Sequence, residues 1–141
     1  MSDVKQVILD SEMRSLLVSL ATEAQSNAYC PYSNFPVGAA LLTDDGNIFK
    51  GCNVENASYG VTICAERSAV SSAVAAGSLN FVAIVVVSNA PIPARPCGAC
   101  RQVLAEFSND ERPTIIISAT SDGEAVEETI NDLLPSQFNL L

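Results

Sequence analysis

The sequence predicts an α/β fold, with a largely parallel sheet lying between helical layers. Three observations predict it. Apolar residues recur at helical spacing over Met13, Leu16, Leu17, Leu20, Ala21 and Ala24. Phe81 to Ser88 and Thr114 to Ser118 are short β-branched and apolar runs, as found in central strands covered on both faces. From Ile48 onward, strand-like and helix-like segments alternate, which is the pattern of a sheet with helices packed on it.

The first helix has its apolar residues at i, i+3, i+4, i+7, i+8 and i+11, with Asp10 or Ser11 as the cap. The turn-rich segment Tyr29-Cys30-Pro31-Tyr32-Ser33-Asn34 lies beyond its end. Val37 to Leu42 reads as a strand, Asp44-Asp45-Gly46 as a turn, and Ile48 to Asn53 as the partner strand. A polar loop, Val54 to Thr62, follows. Cys64 to Ala76 is alanine-rich and reads as a helix stopped by Gly77. Cys97 to Phe107 reads as a further helix. Ala125 to Ile130 reads as a fifth strand or the start of a helix, and Leu133-Leu134-Pro135 ends regular structure. The length of 141 residues suits one domain over 1–141, with a short flexible extension at Met1 to Leu9.

Composition narrows the function. The net charge is −9, and no cluster of Lys or Arg interrupts the acidic trend. Binding to a nucleic-acid backbone needs a cationic face, so a small neutral substrate fits better. The longest apolar run, Phe81 to Val87, is too short to span a bilayer. The expected location is the cytoplasm, with access to the nucleus left open. Five cysteines form an odd set, which argues for metal ligation by some of them rather than a disulfide framework. The chain has no histidine, so any metal-activated water must rely on sulfur ligands.

Cys97 and Cys100 are spaced i, i+3, which puts both sulfurs on one face of a first helical turn, and Pro96 is placed to start that helix. Cys64 stands at the start of another helix. Unpaired N–H groups and the helix dipole favour thiolate at all three positions. Such a trio can hold zinc and leave a fourth position open for water. Glu66 follows Cys64 by two residues. In mid-helix the two side chains would diverge, but at a helix mouth both can reach one point. A closed structural site with Cys30 or Cys52 as fourth ligand is the alternative, although neither has a ligand-type partner nearby.

These residues carry a resemblance. Cys64-Ala65-Glu66 with Pro96-Cys97-Gly98-Ala99-Cys100 resembles the zinc-deaminase signature in an all-cysteine form. Four further stretches narrow it: Pro31-Tyr32-Ser33-Asn34-Phe35-Pro36-Val37-Gly38-Ala39-Ala40, Gly51-Cys52-Asn53-Val54-Glu55-Asn56-Ala57-Ser58-Tyr59-Gly60, Cys97-Gly98-Ala99-Cys100-Arg101-Gln102 and Leu133-Leu134-Pro135. Together they look like the short, homotetrameric cytidine deaminases, over about Leu16 to Phe138.

The resemblance implies a three-layer α/β/α sandwich with a mixed five-stranded sheet covered by helices on both faces. It implies one Zn²⁺ per subunit on Cys64, Cys97 and Cys100, and deamination of cytidine and 2′-deoxycytidine to uridine and 2′-deoxyuridine in pyrimidine salvage. In that chemistry zinc-bound hydroxide attacks C4 with Glu66 as proton shuttle. It also implies ribose binding by Asn53 and Glu55, with Glu55 on the 3′-hydroxyl, a hydrogen bond from the Ala65 N–H to the pyrimidine carbonyl, and packing of Phe35 on base or sugar. Tyr59 and Phe138 resemble residues that complete a neighbouring subunit's site. Zn²⁺ with three thiolates sums to −1, which weakens acidification of water. Arg67, the nearest cation in sequence, is expected to draw charge from the ligand sulfurs, with Gln102 a second candidate.

The closest alternative is a deaminase acting on a cytosine antibiotic such as blasticidin S. Pro31 to Phe35 and Asn53 to Ala57 favour the nucleoside enzyme. A non-catalytic, zinc-stabilised interaction module is the alternative from a different class. The placement of Glu66 beside a ligand argues against it.

Overall fold

Asp10 caps the first helix. Its carboxylate accepts the Met13 N–H at 2.8 Å. The computed structural model describes residues 6–140. In chain order they form α1 (Ser11–Gln25), β1 (Val37–Thr43), β2 (Ile48–Cys52), a 3₁₀ turn at Tyr59–Val61, α2 (Ala65–Ala75), β3 (Phe81–Ser88), α3 (Gly98–Glu106), β4 (Ile115–Thr120), β5 (Ala125–Thr129) and α4 (Ile130–Leu133). Among the described residues, no helix is long and apolar enough to cross a membrane.

The strands form one mixed five-stranded sheet in the order β2-β1-β3-β4-β5. The expectation of a largely parallel sheet is corrected here, because β3–β4 is its parallel pair and the other three pairs are antiparallel. The alternation from Ile48 onward does register a direction: β2, β3 and β4 all run the same way. However, the tight β1–β2 hairpin places β1 between β2 and β3, with Ala39 opposite Gly51 on one side and Val86 on the other. The ambiguous tail is both strand and helix. β5 passes into α4 through a capping box, in which the Thr129 hydroxyl accepts the Asp132 N–H and the Asp132 carboxylate accepts the Thr129 N–H.

Alternation along the inner strands sorts side chains to two faces. Ala40 and Leu42 of β1 pack with Val85 and Val87 of β3 under Leu17 and Ala21 of α1. Ala39, Leu41, Ile84 and Val86 pack on the opposite face with Ala69 and Ala73 of α2 and Leu104 of α3. The sheet is thus covered by helices on both faces. On the site side the helix lies very close. A Cβ on Gly51 would overlap the Ala65 carbonyl and the Ala69 nitrogen, so a residue without a side chain lets the start of α2 seat against β2. The expected flexible extension over 1–9 falls partly outside the described residues. Within them Val7 and Leu9 pack against the α1-side core, and Leu9 accepts from Arg14 at 2.6 Å.

The hairpin turn is tied to the exit of α2. Asp45 accepts from the hydroxyls of Ser78, at 2.6 Å, and Thr43. These bonds hold its carboxyl down at about 2. A folded value below the unfolded one gives stability that is present above about pH 4 and lost as pH falls through the folded value. Melting curves between pH 5 and pH 2 should therefore converge for wild type and Asp45→Asn, with the wild type more stable only at the upper end.

Candidate metal centre and active site

Two helix starts build the centre. Cys64 is the N-cap of α2 and Cys97 the N-cap of α3, both with extended backbone and with no side-chain capping bond. Cys100 lies two residues into α3 from Gly98 and is buried. The three sulfurs lie within 4.8 Å of one another. Zinc–sulfur bonds of about 2.3 Å at tetrahedral angles need sulfurs about 3.8 Å apart, so a small contraction would close the trio on one ion. Cys30 and Cys52 are half-buried and outside this group, and the Cys52 thiol is directed to the Asn27 carbonyl at 3.8 Å.

The charge state of the thiols also fits a cation. Cys64 is pulled down to about 5, first by the hydrogen bond from Cys100 and then by Arg67. Cys100 is pushed up, because it donates to Cys64 and because it is buried. One sulfur therefore takes the negative charge and its neighbour keeps a proton for it. Three thiolates at this spacing need a divalent cation, and zinc has the preference for sulfur to supply it. Arg67 stands where the sequence places it: its Nη2 donates to Cys64 Sγ at 3.6 Å and to the Thr62 carbonyl at 3.1 Å.

Beside the sulfurs lies a cleft of ≈ 310 Å³. Cys64, Ala65, Glu66 and Cys97 line one part of it, and Phe35, Asn53 and Glu55 another. Glu66 is only 5% exposed. Burial pushes its carboxyl up, and the Cys64 thiolate adds to this. The Ala65 N–H belongs to the first turn of α2, where amides have no intrahelical partner. Glu55 accepts the N–H groups of Tyr32 and Ser33 at 3.0 and 3.1 Å, and also the Ser33 hydroxyl. The buried Asn53 also serves the backbone. Its Oδ1 accepts the Val37 N–H and its Nδ2 donates to the Phe35 carbonyl, both at 2.9 Å, so its amide staples the strand entrance behind the cleft. A larger cleft, ≈ 400 Å³, lies at Val7, Asn80 and Arg112 and contains none of these groups.

The remaining expected residues stand outside the cleft. Tyr59 is 79% exposed and meets Tyr32 edge-on at 6.4 Å between ring centres. Phe138 is 69% exposed. Gln102 is not directed at a sulfur; its amide donates to the Phe138 carbonyl at 3.2 Å and tethers the tail. Its neighbour Arg101 does the work closer to the centre. Arg101 donates to the Pro96 carbonyl at 2.7 Å and to the Leu133 carbonyl at 2.9 Å, holding the loop before Cys97 against the α4 turn. Sequence reasoning did not single out Arg101, Ser33 or Arg95, although each lies inside or next to a quoted motif. Arg95 lines the cleft and pairs with Glu128 at 2.7 Å.

Loading the metal-free protein with zinc should raise its melting temperature and bind one ion per chain. At a thousandfold excess over the dissociation constant the added stability is about 4 kcal/mol. Cys97→Ser should abolish most of this shift, and an unchanged shift would remove Cys97 from the centre.

Residues 11–116 match the family model described as "Cytidine and deoxycytidylate deaminase zinc-binding region". A cytidine deaminase from Sporosarcina psychrophila is 48% identical over 123 residues, spanning 87% of this chain and 89% of that protein. The crystal structure of a cytidine deaminase from Burkholderia pseudomallei superimposes with a TM-score of 0.83 at 48% identity, over 88% of this chain and 98% of that one. A cytidine deaminase structure from Mycobacterium tuberculosis gives 0.76 at 41% identity, over 90% and 98%. With that family model matching residues 11–116 and a relative 48% identical over most of both chains, the chain belongs to the cytidine and deoxycytidylate deaminase family.

Proposed function

We propose that this chain is a zinc-dependent deaminase that converts cytidine and 2′-deoxycytidine, with water, to uridine and 2′-deoxyuridine plus ammonia, in pyrimidine salvage. The observation that carries this reading is a buried carboxylate, Glu66, at the edge of a three-thiol cluster in one nucleoside-sized cleft. Zinc, when bound by Cys64, Cys97 and Cys100, makes water a nucleophile near neutral pH.

The chain's own residues do the rest. Glu66 accepts the proton of the attacking water on a carboxylate oxygen and delivers it to N3 of the pyrimidine. It then serves the departing amine in the same way. Burial favours its protonated form, which suits a group that must hold a proton between two transfers. The Ala65 N–H takes the base carbonyl. Glu55 takes a ribose hydroxyl, and Asn53 supports that end of the cleft. Phe35 packs on the base or sugar. Arg67 draws negative charge from Cys64 and so offsets the surplus of an all-sulfur centre.

The exposed aromatic side chains Tyr32, Tyr59 and Phe138 support a homotetramer in which neighbouring subunits complete each cleft. Five free cysteines support a cytoplasmic location.

Glu66→Gln keeps the shape and removes the proton carrier. Cytidine turnover, followed by ultraviolet absorbance, should fall by about 10²–10⁴-fold while zinc stays at one per chain. The folded pKa of Glu66 lies above its unfolded value, so the ionised group costs stability increasingly as pH rises past the unfolded value. The metal-free Gln variant should therefore match wild type in melting temperature near pH 4 and exceed it at pH 8. Wild-type turnover in the variant would contradict the role. Activity on blasticidin S but not on cytidine would point to the antibiotic enzyme, and no turnover of either to a structural module.

Arg67→Ala makes the centre more negative. Its pH–rate profile should move to higher pH, with turnover depressed at neutrality. An unshifted profile would exclude the charge-drawing role.

A further inference from the structure

Ser33 occupies a position that the zinc chemistry does not use. It lies in the turn from Cys30 to Asn34, which closes through Asn34 N–H to the Cys30 carbonyl at 2.9 Å. Its backbone N–H donates to one oxygen of Glu55 at 3.1 Å, and its hydroxyl donates to the other. The same hydroxyl oxygen accepts the Phe35 N–H at 3.1 Å. Asn34 between them has φ of 54°, a left-handed conformation that asparagine tolerates better than most residues and that lets the chain double back from Ser33 to Phe35. Ser33, Phe35 and Glu55 all line the cleft that contains Glu66.

A hydroxyl has one proton to give, and this one gives it to Glu55. A carboxylate offers about four acceptor positions, of which Tyr32 N–H, Ser33 N–H and Ser33 O–H fill three. One position remains for a ligand. A carboxylate fixed in this way does not have to be ordered when the sugar arrives, and it selects a single donor.

We propose that Ser33 is a positioning residue that presets Glu55 as an acceptor for one sugar hydroxyl and couples it to Phe35, so that this turn sets sugar recognition. The proposal rests on the nucleoside reading above and deepens it. Its effect belongs to binding: substrate and transition state share the sugar contact, so its loss raises KM and leaves kcat nearly unchanged. The contribution of a hydrogen bond to a charged group corresponds to about a tenfold or greater change.

The test compares zinc-loaded wild type, Ser33→Ala and Ser33→Thr on cytidine and on 3′-deoxycytidine. Ser33→Ala should raise KM for cytidine about tenfold with kcat within about threefold, and should change KM for 3′-deoxycytidine far less. Ser33→Thr, which keeps the hydroxyl, should restore the cytidine KM. An unchanged KM, an equal rise for both substrates, or a fall in kcat alone would overturn the proposal. A second readout needs no turnover. The Ser33 hydroxyl is the main cause that holds the Glu55 carboxyl below the usual range, so carboxyl NMR of Ser33→Ala should show Glu55 titrating at higher pH. An unmoved Glu55 titration overturns the positioning role by itself. Failure of wild type to deaminate cytidine, with Glu55 still moving in the variant, would instead remove the nucleoside reading.

Discussion

Three thiols brought within 4.8 Å of one another create the constraint on which the site depends. Sulfurs at that distance cannot all ionise without a cation among them, because like charges in a half-buried place repel strongly. The fold accepts this cost by aiming two helix N-termini at one point, so that the dipoles of α2 and α3 both favour negative charge there. Everything that controls those two termini therefore controls the centre. Gly51 lets α2 seat on β2, and Arg101 holds the loop before α3 by two backbone carbonyls.

The rest of the cleft follows from the same arrangement. The sheet places Val86 and Ser88 of β3 along the cleft between the two helix starts. Glu66, one residue into α2 beyond Ala65, is buried and lines the same cleft as Cys64 and Cys97. Adjacent charged sulfurs are unfavourable alone and a metal ion resolves them, whereas burial leaves the Glu66 carboxyl favouring its protonated form. This explains why the local stability rules fail here and hold elsewhere in the domain-like core of alternating apolar strands.

Much of this was legible in the sequence. The Asp10 cap, the apolar stripe of α1 and the unbroken run of β3 are local signals, and local signals survive folding intact. The spacing of Cys97 and Cys100 reports one helical turn, and Cys64 with Glu66 reports a second helix start. The pairing of strands was less legible, because β1 enters between β2 and β3 through a hairpin, and alternation along the chain says nothing about which neighbour a strand takes. Side-chain partners across the cleft were the least legible. Asn53 sits in the expected loop, yet its amide serves the backbone of Phe35 and Val37. Gln102 sits in the expected motif, yet its amide reaches the tail, and the adjacent Arg101 grips the loop beside the centre. Residue type and spacing locate a group, whereas its hydrogen-bond partner depends on segments distant in sequence.

The proposed chemistry requires an open centre, with three protein sulfurs and one position for water. X-ray absorption at the zinc edge of the loaded protein measures this directly. Three sulfurs at about 2.3 Å and one lighter scatterer, oxygen or nitrogen, at about 2.0 Å are the predicted shell. Four sulfurs, with Cys30 or Cys52 drawn in, would describe a closed structural site and contradict the account.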